Sequence, residues 1–132
     1  MSRPLDRSRT LDDLDLPAWG EPDHDSYLVT TCHRLRRKPI GEFSVEDLRI
    51  VIGQGIGLPW LVAIALEVLE QEPLAEGDFY PGDLLACVLR LRREVWAREW
   101  EWRDRTRAVL GRLPEVPKEL HEAVAAFRES AA

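Results

Sequence analysis

An all-α fold, a single compact domain of about five helices, is what three observations predict. Apolar residues recur at three- and four-residue spacing from Ser26 onward. No stretch of four or more alternating residues reads as a strand. Glycine and proline fall at the edges of the apolar periods. With 132 residues, 45% of them hydrophobic, the chain can bury one core without staples.

Residues 1–25 read as an acidic, partly ordered arm ahead of a helical domain over 26–132. Asp12, Asp13, Asp15, Glu21, Asp23 and Asp25 supply its charge, and Leu11, Leu14, Leu16 and Trp19 are its means of docking on the body. The first helix starts near Ser26 and ends before Pro39, with Leu28, Val29, Cys32 and Leu35 at helical spacing. Arg34, Arg36, Arg37 and Lys38 fall in its last turn, where cations suit the negative end of the macrodipole. Ser44-Val45-Glu46-Asp47 starts the second helix as a capping box, and Val45, Leu48, Val51 and Ile52 form its buried face.

Three glycines in five residues, Gly53, Gly55 and Gly57, make the following turn. Pro59 then sits in the first turn of a third helix, where its missing N–H is no loss. That helix, 58–72, is apolar nearly all round and is predicted to lie at the centre. After a loop with two prolines and two glycines, Asp83 opens a fourth helix, as N-cap or first-turn acid, that the pattern carries to about Leu110. Its apolar residues fall on two stripes. Leu84, Val88 and Leu91 lie on one, and Leu85, Leu89, Trp96 and Trp100 on the other, which must face an internal neighbour or a partner. Pro117 opens the last short helix, to about Glu129, with Leu120, Val124 and Phe127 on one face.

The net charge of −6 and pI near 5.1 argue against free nucleic acid as a global partner and favour a basic protein. The segment 90–112 runs the other way, with eight arginines against four acids. Arginine interleaved with Trp96, Trp100 and Trp102 suits nucleic-acid stacking and protein hot spots alike. The i,i+4 pairs Arg90–Glu94, Glu99–Arg103 and Glu101–Arg105 would lower its free charge. Cys32 and Cys87 belong to no Cys-x-x-Cys pair and read as reduced core thiols. The N-terminal residues show no apolar signal segment, and the longest apolar run is too short to span a bilayer. The expectation is a cytoplasmic protein without membrane contact.

Chemistry is sparse. Cys32-His33 are neighbours on a helix and point about 100° apart, so they form no dyad. Asp23, His24, Asp25 and His33 offer ligand atoms without a metal-site spacing. Gly53-x-Gly55-x-Gly57 follows a helix and lacks the lysine of a phosphate loop. No catalytic residue, metal site or cofactor is expected.

Two blocks do carry a resemblance. Leu48-Arg49-x-x-Ile52-Gly53-Gln54-x-Ile56-Gly57-Leu58-Pro59 is followed by Pro73-Leu74-x-x-Gly77-Asp78-Phe79-Tyr80-Pro81-Gly82-Asp83-Leu84-Leu85, with Thr30 to Pro39 as lead-in. Over roughly residues 19–91 the chain resembles the immunity proteins of contact-dependent growth inhibition systems. The resemblance implies a bacterial cytoplasmic protein that binds and neutralises the C-terminal toxin domain of a large delivered effector, often a nuclease. The alternative from the residues alone is a small nucleic-acid-binding regulator built on the Arg/Trp-rich helix 90–112.

Gly53, Gly57, Pro59, Gly77, Pro81 and Gly82 suit backbone punctuation. The residues expected to meet the partner are Asp23, Asp25, Glu76, Asp78, Phe79, Tyr80, Asp83, Trp96 and Trp100. They combine acids for a basic toxin with aromatic rings able to fill a pocket.

Overall fold

The computed structural model describes residues 5–22 and 26–132. Among them are eight α-helices: α1 (Leu11–Leu14), α2 (Tyr27–Leu35), α3 (Val45–Gly53), α4 (Leu58–Gln71), α5 (Asp83–Leu89), α6 (Arg93–Arg98), α7 (Trp100–Gly111) and α8 (His121–Ser130). Short 3-10 turns lie at Ile40–Glu42 and Lys118–Leu120. The described residues contain no strand, only one isolated bridge between Glu76 and Pro81.

The local signals of the first half hold. Ser26 caps α2 by accepting from the Val29 N–H. Ser44 and Asp47 complete the capping box of α3, each side chain accepting from the other's backbone N–H. Gly57 has φ +65°, a left-handed conformation that side chains other than glycine rarely adopt, and Pro59 follows in the first turn of α4. A Cβ at Gly57 would stand 2.7 Å from Leu11 Cδ2, so this turn also makes room for the arm.

The count of five helices does not hold. The predicted helix from Asp83 to Leu110 breaks twice, at Arg90–Arg92 and at Glu99, without glycine or proline. Tertiary packing decides this. The Trp96 ring turns into the core at 1% exposure, meets Phe127 of α8 edge-on at 5.0 Å, and its Nε1 donates to the freed Leu91 carbonyl at 3.1 Å. One straight helix cannot bury both apolar stripes on different neighbours, and the breaks let it do so.

The centre also shifts. In α5 every residue except Cys87 is buried, and this helix packs against α3, α4 and α8. Helix α4 is the longer apolar helix, but Pro59, Glu67 and Gln71 on it face outward.

The described part of the acidic arm, residues 5–22, is clamped to the body. Leu11 is fully buried. The Arg36 side chain, 1% exposed, donates to Asp12 Oδ1 (2.8 Å), Asp15 Oδ2 (2.9 Å) and the Asp15 carbonyl (2.6 Å). Its guanidinium lies 4.6 Å from the Trp19 ring. The Asp12 N–H donates to the Arg36 carbonyl, so side chain and backbone hold the same point. Arg36, expected as a dipole-facing surface cation, is instead the arm's anchor.

Candidate functional site

The loop between α4 and α5 is built by two carboxylates. Asp83, buried in the first turn of α5, accepts from the Gly77 N–H at 2.6 Å through Oδ1 and from the Phe79 N–H at 3.1 Å through Oδ2. Glu46, from the first turn of α3, accepts from the Asp78 N–H at 2.9 Å. A Cβ on Gly77 would lie 2.5 Å from Glu46 Oε1 and 3.0 Å from Asp83 Oδ2, so only glycine lets both acids reach the loop backbone. The Gly82 N–H closes the loop on the Leu74 carbonyl.

Arg49 ties these acids together. It donates to Glu46 through Nε at 2.7 Å and Nη2 at 2.5 Å, and its Nε stands 4.0 Å from Asp83. The Arg49 hydrogen bonds hold the Glu46 carboxyl below its ordinary range, with the Asp78 N–H adding to them. Burial pushes the nearby Cys87 thiol up, against the pull of the Arg49 charge. Both cysteines are free thiols.

The outer face of Arg49 carries Phe79. The guanidinium lies 4.4 Å from the ring centroid, yet Phe79 is 67% exposed. An exposed phenyl stacked on a cation that is itself held by a carboxylate is pre-positioned and keeps little rotamer freedom to lose on binding. Beside it Glu76 and Asp78 are exposed and make no ion pair among the described residues, and Tyr80 is half-buried.

The expected partner residues thus separate. Glu76, Asp78, Phe79 and Tyr80 come together on one loop. Asp83 does not join them at the surface, because its two oxygens face the loop backbone from inside. Trp96 is in the core and is no surface anchor. Trp100 is 63% exposed at the start of α7. Asp23 and Asp25 lie outside the described residues. Arg49 and Glu46, which set the loop, went unassigned in the sequence. Their i,i+3 spacing beside the capping box was the available signal.

Three of the eight arginines of 90–112 are hydrogen-bonded within the fold. Arg105 makes a two-pronged pair with Glu70 at 3.0 and 2.6 Å, Arg112 donates to the Glu70 carbonyl, and Arg107 donates to the Ala131 carbonyl. The Arg105 hydrogen bonds lower the Glu70 pKa. None of the three expected i,i+4 pairs occurs among the described residues: Arg90 turns to Glu122 and Arg105 to Glu70, while Arg103 meets its neighbour Asp104. This leaves the nucleic-acid alternative fewer free cations than the sequence counts.

His33 is likewise structural, its Nδ1 donating to the Gly20 carbonyl at 2.9 Å while its ring lies 4.9 Å from that of Trp19. Among the described residues, no three His, Cys, Asp or Glu side chains are placed to hold a metal ion. No helix there is long and apolar enough to cross a membrane.

The described residues thus form an all-helical domain with an exposed aromatic ring fixed beside unpaired carboxylates. The model of the CDI immunity proteins matches residues 13–105, and the chain belongs to that family. Its family role is immunity against a CDI toxin. No curated protein matches the chain.

Proposed function

We propose that this protein protects its cell by stoichiometric binding of the C-terminal toxin domain of a contact-dependent growth inhibition effector, a nuclease, in the cytoplasm. It acts by occupancy and has no turnover of its own. The observation that carries the reading is Phe79, exposed yet stacked on Arg49, on the same loop as Glu76 and Asp78, whose backbone is held from below. An aromatic anchor ringed by charge is the usual composition of an interface hot spot. Nucleases carry basic surfaces for their phosphate substrates. An acidic inhibitor gains on-rate from that charge and places carboxylates where phosphates would sit. Tyr80 borders the same face, and Trp100 is a second candidate contact.

The test is calorimetric titration with the C-terminal domain of a large exported protein encoded beside this chain. Nanomolar affinity at one-to-one stoichiometry is expected, together with loss of the toxin's nuclease activity in the mixture. Asp78→Lys should weaken binding by about tenfold or more while leaving Tm unchanged. Equal binding by that variant would move the interface away from the loop.

A further inference from the structure

We infer that the groove between the Gly53–Gly55 turn and the α5–α6 corner is a second contact surface, receiving an extended acidic segment of the toxin, an assignment that rests on the immunity reading above. The groove has a volume of about 770 Å³. Ile52, Leu58, Leu91 and Val95 give it an apolar lining. Arg90 and Arg92 also line it, and no carboxylate does among the described residues.

Those cations are available. Arg92 makes no ion pair among the described residues. Arg90 reaches only Glu122, at 3.8 Å, whose side chain is 93% exposed. In a chain of net charge −6 this is a local field of the opposite sign, and it selects an acidic occupant.

The 53–55 turn completes the lining with backbone. No hydrogen bond among the described residues reaches the carbonyls of Gly53, Gln54 or Gly55. A Cβ on Gly53 would meet only Cys87 Sγ at 3.8 Å, and one on Gly55 would meet nothing within 4 Å. This turn therefore adds three carbonyls without an internal partner, and Gln54 is its only side chain. That suits a polypeptide, whose N–H groups need acceptors, and opposes a strand of phosphates. No aromatic ring lines the groove, so a nucleobase would find no stacking platform.

The same titration, run with the C-terminal toxin domain against four proteins, tests this. The wild type, Arg92→Glu, Gly53→Leu and Asp78→Lys are compared. Arg92 is exposed, and Gly53 ends α3 with room for a side chain, so both groove variants should melt as the wild type does. Each should bind about tenfold or more weakly, one by charge reversal and one by filling the groove. Wild-type affinity in both groove variants, with loss only in Asp78→Lys, overturns the groove and leaves the loop standing. Absence of binding by the wild type overturns both. Retention of a single-stranded RNA oligonucleotide at low salt, abolished by Arg92→Glu, would give the groove to nucleic acid and overturn the peptide assignment.

Discussion

In the N-terminal arm, Asp12 and Asp15 turn inward onto Arg36. In the loop after α4, Glu76 and Asp78 are exposed, while Asp83 and Glu46 from the flanking helices turn inward beneath them. The two regions carry comparable acidity in the sequence. Asp12 and Asp15 share one cation the solvent barely reaches, so this pair adds less to the surface field than its two charges would alone. The loop divides its labour, with inner carboxylates fixing the backbone and outer ones remaining free. Counting acids along a chain therefore misplaces an acidic surface. Which carboxylate faces a buried donor decides the field a partner meets.

The comparison breaks most severely at Arg36. Arg36→Ala removes a buried cation and strands Asp12 and Asp15, and should cost about 3 kcal/mol in urea denaturation. Amide exchange should accelerate over α1, while toxin affinity per folded molecule stays near wild type. A large affinity loss would mean that the arm belongs to the interface after all.

Gly77→Ala strikes the loop from inside. Its methyl would crowd both inner carboxylates, at a cost of roughly 1–3 kcal/mol. Affinity should fall in step, because the backbone that presents Phe79 must shift. Thermal melts and titration together check this.

Glu46→Gln sharpens the point through pH. Glu46 has a folded pKa below its ordinary value of 4.5, so its contribution is complete above that value and is lost as pH falls through the lowered folded pKa. The variant should be about 1.5 kcal/mol less stable at neutral pH. The gap from wild type should close on acidification. A gap independent of pH would assign the loss to packing instead of charge.

The smallest effect is expected at Trp100→Ala. The ring is 63% exposed, and stability should change by no more than about 0.5 kcal/mol. Any weakening of toxin binding would therefore read out contact directly.

Features set by near neighbours were legible in the sequence. The Ser44–Asp47 box, the Gly57 turn, Pro59 and the end of α3 follow from chemistry within a few residues. The grouping of Glu76, Asp78, Phe79 and Tyr80 on one loop was legible for the same reason. Features set at long range were not. Trp96 lies on a stripe that could face an internal neighbour or a partner, and only Phe127, far along the chain, decides between them. Arg36 sits in a run of four cations that all suit a helix C-terminus, and only the returning arm singles it out. Asp83 is a first-turn acid by sequence, but its role under Gly77 and Phe79 depends on the path of the loop. Helix α1 and the breaks at Arg90–Arg92 and Glu99 have the same origin.

The burial of Leu11 under the Gly57 turn has a practical corollary. The stretch matched to the family spans residues 13–105, and Leu11 lies before it. Leu120, in the turn before α8, and Val124 and Phe127, on the helix that covers α5, lie beyond it. A fragment trimmed to the recognisable signature would expose the hole that Leu11 fills and uncover the inner helix. The minimal cooperative unit is thus larger than the heritable signature, and a truncated clone that lost protection would report on folding before it reported on recognition.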